Sequence, residues 1–211
     1  MTPDQTPPKS AAANLVWHEQ TVTREQREKA NGHRGALVWL TGLPGSGKST
    51  IAHAVEANLH RLGFKTVVLD GDNIRHGLCA NLGFSEADRN ENIRRTGEVT
   101  KLLLELGVVV FVALISPLRA TREKIRQSLA EGDFIEIYCS CPLAVCKERD
   151  PKGMYARAES GAIAEFTGVS SPYEAPLHPD LTLATGEERP EQSVDRLTRF
   201  VLGRLEKATP R

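Results

Sequence analysis

An open parallel sheet of five strands with helices on both faces, an α/β fold, is the class the sequence predicts, and three observations carry the prediction. Five short apolar runs alternate with stretches of helical period. The run Val108 to Ala113 is apolar at every position, as in a strand buried on both faces rather than one with a wet side. A segment rich in Gly joins the first apolar run to the first long helical stretch, the kind of turn at which such sheets bind ligands.

The elements follow in order. Residues 1 to about 14 are polar, Pro-rich and without aromatics, so they bury too little to repay ordering; a disordered tail is expected there, with one domain over 15–211. Thr23 to Asn31 reads as a short exposed helix with Thr23 as its cap and Gly32 as its stop. The run Ala36 to Thr41, a helix Thr50 to Leu62 stopped by Gly63, and the run Thr66 to Leu69 form a βαβ unit. A helix over about Asp88 to Leu106 stops at Gly107 before Val108 to Ala113, and a helix Leu118 to Leu129 follows. The run Phe134 to Cys139, a Pro-initiated helix Pro142 to Arg149, a Gly- and Pro-bearing segment over 150–179, the run Leu181 to Leu183 and a helix from about Pro190 complete the chain. With right-handed crossovers the sheet is covered on both faces and presents ligands at the carboxyl ends of its strands.

Composition narrows the function classes. With 211 residues and 40% hydrophobic content, the chain can bury a sizeable core. Lys plus Arg and Asp plus Glu both number 27, so no global field gathers nucleic acid or an anionic membrane surface, and any anion site must be local. No apolar stretch is long enough for a membrane span and no secretory signal precedes the domain, which makes the cytoplasm the expected location. Cys79, Cys139, Cys141 and Cys146 lack zinc-knuckle or thioredoxin spacing and read as reduced structural thiols.

Gly42-Leu43-Pro44-Gly45-Ser46-Gly47-Lys48-Ser49 matches the phosphate-binding pattern G-x-x-x-x-G-K-[ST] between a strand and a helix. The expected architecture is therefore the P-loop NTPase fold. Its glycines let backbone N–H groups curl toward a β-phosphate while the helix presents its positive end. Lys48 is placed to meet the β- and γ-oxygens of ATP, Ser49 to offer its hydroxyl to Mg²⁺, and Thr50 to begin the helix.

That cradle holds a nucleotide without fixing its fate. No segment reads a guanine base, which disfavours a GTPase switch. Instead Asp70 and Asp72 stand at the carboxyl end of the second strand, where a carboxylate can hold Mg²⁺ or accept the proton of an attacking hydroxyl. Asp70, nearest the strand, is the candidate for that work; Asp72 and Asn73 could alternatively cap the next helix. Arg75, Arg89, Arg94 and Arg95, with Asn92 beside Arg89 at i, i+3, suggest an acceptor that is itself an anion, because forked guanidiniums match phosphate or sulfate oxygens. Arg94 and Arg95 are the ones expected at the surface. Phe84 could stack on a base.

These residues carry a resemblance. Gly42 to Thr50, then Asp70-Gly71-Asp72-Asn73-Ile74-Arg75-His76-Gly77-Leu78, Leu82 to Ser85, Asp88 to Arg95, Ile115-Ser116-Pro117, Asp150 to Tyr155, Phe166-Thr167-Gly168 and Ser171 to Glu174 together resemble the adenylylsulfate (APS) kinase family. The likeness spans roughly residues 15–205 and includes Asn14 to His18 as a lead-in. It implies ATP-dependent phosphorylation of the 3′-hydroxyl of APS to 3′-phosphoadenylyl sulfate (PAPS). It assigns APS contacts to Asp72, Asn73, Arg75, Phe84, Arg89, Asn92, Ile115, Ser116, Lys152 and Phe166, with adenine between the two phenylalanines. It gives Asp70 to Mg²⁺ and the attacking hydroxyl, and places Ser116 at a position described as a phosphoserine. Direct in-line transfer needs no protein nucleophile, so a substrate contact or a helix cap before Pro117 also suffices there.

By the same resemblance, residues of about 149–168 form a lid carrying Arg149, Lys152 and Arg157 that would exclude water. A homodimer is implied, and association with a separate ATP sulfurylase is open. The sequence departs from the family pattern at Ala164-Glu165, where Lys-Gly is common, and at Leu118, where an aromatic is common. The alternatives are another small-molecule kinase, of gluconate or shikimate type, a nucleotide-binding regulator without turnover, or a piece of a bifunctional PAPS synthase.

Overall fold

The computed structural model describes His18 and residues 20–206; the tail expected over residues 1–14 lies outside them. In chain order the elements are α1 (Arg24–Asn31), β1 (Ala36–Thr41), α2 (Lys48–Arg61), β2 (Thr66–Asp70), α3 (Gly71–Arg75), α4 (Glu86–Leu104), β3 (Val109–Ala113), α5 (Arg119–Gln127), β4 (Phe134–Cys139), α6 (Leu143–Arg149), α7 (Met154–Glu159), β5 (Leu181–Leu183) and α8 (Pro190–Glu206). The strands form one sheet in the order β2-β3-β1-β4-β5, every pairing parallel.

β1 is central and buried at all six positions. Its side chains alternate between two cores, as a period of two requires. Ala36, Val38 and Leu40 pack with Ile51, Val55 and Leu59 of α2 and Leu197 and Val201 of α8. Leu37 and Trp39 pack on the opposite face with Ile93 and Leu104 of α4 and Ile125 of α5. Each such side chain contributes roughly 1.5–3 kcal/mol of burial. The five expected strands are all present, and the four cysteines are free and buried.

The boundaries differ from expectation where a local cap was overlooked. α2 starts at Lys48 rather than Thr50, because Gly47 takes a left-handed φ of 92° at the N-cap and turns the chain into the helix two residues earlier. α4 starts at Glu86 rather than about Asp88 because Ser85 accepts the Asp88 N–H as its N-cap. α3 is capped by Asp70, whose side chain accepts the Asp72 N–H; Asp72 and Asn73 lie inside the helix and are not its caps. α5 has Leu118 at its N-cap without a side-chain bond, so Ser116 is not a helix cap either. Thr23 does cap α1, with a full capping box to Gln26.

Candidate functional site

The carboxyl ends of β1, β2 and β3 open into one cavity of about 1360 Å³, roofed by the segment around α7. Its nucleotide side is built by eight consecutive residues. Gly42 leaves no room for a side chain: a Cβ there would lie 2.6 Å from the Cys139 carbonyl oxygen and 2.7 Å from Ser46 Oγ. The N-terminus of α2 carries no side-chain cap, which leaves its first-turn N–H groups and the positive end of the helix for an anion. Lys48 Nζ donates to the carbonyls of Gly42 at 3.0 Å and Leu43 at 2.7 Å. Burial pushes its pKa down to about 8, against the partial counterweight of nearby groups that include Asp70. Ser49 and Thr50 are exposed on the cavity wall. Gly42 and Leu43 are not part of that wall; they act on it through the carbonyls that hold Lys48.

The opposite side is assembled from separate segments. Asp70, the buried last residue of β2, uses Oδ1 for the Asp72 N–H at 2.9 Å while Oδ2 has no partner. Arg75 donates to the Gly83 carbonyl at 2.8 Å and lies 4.4 Å from the centroid of the Phe84 ring, so the exposed ring already bears a cation on one face. Arg89 donates to the Phe84 carbonyl at 2.7 Å, to Thr167 Oγ1 at 2.9 Å and to the Glu165 carbonyl. Asn92, only 2% exposed, shows a buried Nδ2 without a partner. Arg94 and Arg95 instead close on Glu91, whose carboxylate they hold down at about 2, and Arg95 adds Asn81. The expectation that these two belong to the surface network holds.

The roof segment touches both sides. Lys152 pairs with Asp72, and Tyr155 Oη donates to the Pro44 carbonyl at 2.9 Å. Phe166 is buried edge-on against Tyr155, with ring centroids 5.0 Å apart and an interplanar angle of 82°. Asp150 accepts the N–H groups of Tyr155 and Ala156 and so begins α7. Glu165 takes a left-handed φ of 53°, at one of the two positions where the chain departs from the Lys-Gly pattern. Phe84 and Phe166 line the same cavity, as do Asn73 and Ile115.

Ser116 is buried. Its Oγ accepts the indole N–H of Trp39 at 2.9 Å and lies 3.4 Å from the Leu114 carbonyl. Neither contact is a base able to activate it as a nucleophile. The sequence reading missed three residues that shape this part of the site, Trp39, Tyr155 and Arg122, because an apolar strand, a lid and a charged helix each give such a residue a bland setting. It also assigned nothing to the wall formed by His53, Thr185 and Glu188 beyond the cradle.

The sequence profile described as adenylylsulphate kinase matches residues 34–184. The adenylyl-sulfate kinase of Acaryochloris marina is 54% identical over 190 residues, covering 90% of this chain and 93% of the relative. The APS kinase CysC of Mycobacterium tuberculosis, solved in complex with AMPPNP and APS, superposes with a TM-score of 0.77 at 47% identity, covering 80% of this chain and 98% of that one. A hexameric APS kinase from Thiobacillus denitrificans gives a TM-score of 0.61 at 29% identity, covering 84% of this chain and 30% of that one.

Proposed function

The chain belongs to the adenylylsulphate kinase family, and from that premise we propose how the residues of the cleft divide the work. The protein is a phosphotransferase: it carries the γ-phosphate of ATP to the 3′-hydroxyl of adenylyl sulfate, giving 3′-phosphoadenylyl sulfate and ADP, with Mg²⁺ as the partner ion of the nucleotide.

Residues 42–50 hold the triphosphate. Lys48 exchanges the Gly42 and Leu43 carbonyls for the β- and γ-oxygens, which restores the counter-charge that burial denies it. The wall at His53, Thr185 and Glu188 leaves room for the donor nucleoside. Ser49 and Asp70 suit Mg²⁺: both supply hard oxygens, and the Asp70 Oδ2 is buried without a partner. Bound there, the ion neutralises charge on the phosphate oxygens.

Asp70 also accepts the proton of the attacking hydroxyl. Arg75, Arg89 and Asn92 bind the phosphosulfate, Asp72, Asn73, Ile115 and Lys152 orient the acceptor, and Phe84 and Phe166 hold its adenine. The ion pair of Lys152 with Asp72 and the bonds of Arg89 to Glu165 and Thr167 are contacts that bound APS would exchange. Ser116 shapes the wall and forms no covalent intermediate. The segment over about 149–168 is the lid that keeps water from the transferring phosphoryl group.

The observation that carries this reading is the unpartnered Asp70 oxygen in one cavity with the phosphate cradle and the Arg75, Arg89 and Asn92 cluster. Incubation with MgATP and APS, gluconate or shikimate, following ADP, tests it. ADP release that depends on APS alone is expected; release indifferent to APS overturns it. We further propose a homodimer in the cytoplasm that receives APS from a separate sulfurylase. No helix among the described residues is long and apolar enough to cross a membrane. Light scattering reports the assembly, and a hexamer or monomer refutes the dimer.

A further inference from the structure

The segment Ile115-Ser116-Pro117 leaves β3 and forms part of the cavity wall. Ser116 has a φ of +40°, left-handed for a residue that bears a Cβ. Such a conformation is strained and persists only where its surroundings over-determine it. Three side chains do so here: Trp39 Nε1 to Ser116 Oγ at 2.9 Å, Thr41 Oγ1 to the Ile115 carbonyl at 2.7 Å, and Arg122 Nη1 to the Ser116 carbonyl at 2.6 Å.

Arg122 stands apart from the other two. It is 2% exposed, does not line the cavity, and directs its remaining nitrogens elsewhere: Nε to Glu136 Oε1 at 2.7 Å and Nη2 to the Glu174 carbonyl at 2.8 Å. A buried arginine–carboxylate pair is a weak stabiliser, because desolvation offsets most of its attraction. Net stability is therefore a poor reason to bury this one. What the guanidinium does geometrically is join three segments that are apart in sequence: the strained turn at Ser116, the strand β4 through Glu136, and the strip at Glu174 that follows the lid. The strip is pinned to the same turn again by the Glu174 N–H to the Pro117 carbonyl at 2.9 Å, and to α5 by the Arg119 N–H to the Glu174 carboxylate at 2.8 Å.

We propose that Arg122 is the positioning residue of the acceptor wall: it holds the Ile115-Ser116 backbone in its left-handed turn and couples that turn to the segment leaving the lid, without touching either substrate. The assignment rests on the reading of Ile115 and Ser116 as acceptor wall.

Three variants test it. Arg122→Lys keeps the charge and loses the fork. Arg122→Met with Glu136→Leu removes both buried charges, a change that leaves such sites near neutral in stability; Arg126, which donates to the other Glu136 oxygen at 3.2 Å, is part-exposed and keeps Asp180 beside it. In both, KM for APS rises tenfold or more, while KM for ATP stays within about twofold and the double variant melts close to wild type. Unchanged KM for APS in the double variant overturns the proposal, because a purely structural role is met once the buried charges are gone. In a Ser116→Gly background, where glycine adopts the turn without strain, Arg122→Lys raises KM for APS by a smaller factor than in the wild-type background; an equal factor also overturns it. If the wild-type enzyme shows no APS-dependent ADP release, it is the acceptor reading that fails, not the clamp.

Discussion

The two halves of the cleft are made in different ways. The nucleotide half is one run of eight residues whose shape is set by backbone: a close approach at Gly42, a left-handed cap at Gly47, and a lysine folded onto carbonyls five and six residues before it. The acceptor half is made of side chains brought together across the fold. Arg89 reaches Thr167, 78 residues away, and Lys152 reaches Asp72, 80 residues away. The cradle's shape is fixed by contacts within six residues of chain. The wall's shape depends on contacts that the whole fold must bring together.

The largest effects separate the halves. Lys48→Ala is expected to lower kcat/KM by on the order of 10³, since it removes the cation that the cradle itself supplies to the transferring charge. Its melting temperature should not fall, because an ammonium disfavoured by burial is removed. A loss of less than tenfold would mean that the cradle works through backbone alone. Asp70→Asn should lower kcat by at least about a hundredfold. The amide oxygen can still accept the Asp72 N–H, so the fold and the KM for ATP should hold. A matching loss of ATP affinity would move Asp70 from the acceptor half to the donor half.

Smaller effects probe what holds the acceptor wall. Ser116→Ala should leave kcat within about fivefold of wild type, which excludes an obligatory phosphoserine. It should cost roughly 1–3 kcal/mol of stability, because the buried Trp39 N–H loses its acceptor. Complete loss of turnover with an intact melting curve would restore the covalent role. The smallest change is Glu165→Gly. It relieves a left-handed φ of 53° and is expected to raise stability by about 0.5–1 kcal/mol, seen as a melting shift of roughly 1–4 °C. No rise would show that the turn is not strained by its side chain.

Legibility followed the same division. The strands at 36–41, 134–139 and 181–183 were readable to the residue, because each is a short run dominated by apolar residues and bounded by turn residues; only the first is buried at every position. Helix starts were less so. Asp72 and Asn73 stood only as alternative caps of α3, and the cap belongs to Asp70, since either carboxylate could serve and only the backbone angle at Asp70, with φ −82° and ψ 138°, decides which one faces the free N–H groups. Arg94 and Arg95 separated from Arg89 through Glu91, which lies three and four residues away on the same helix.

The sequence by itself determined the sheet, the phosphate cradle and, through its chain of motifs, the family, because each depends on residues close together or on a pattern that burial imposes. Only the tertiary structure decided that Asp70 keeps one carboxylate oxygen free, that Ser116 accepts from Trp39, and that a buried arginine on α5 ties the Ser116 turn to the strip at Glu174. Each of these is a choice among hydrogen-bond partners, from two residues apart at Asp70 to 77 at Trp39 and Ser116, and the sequence does not say which partners the fold brings within 3 Å.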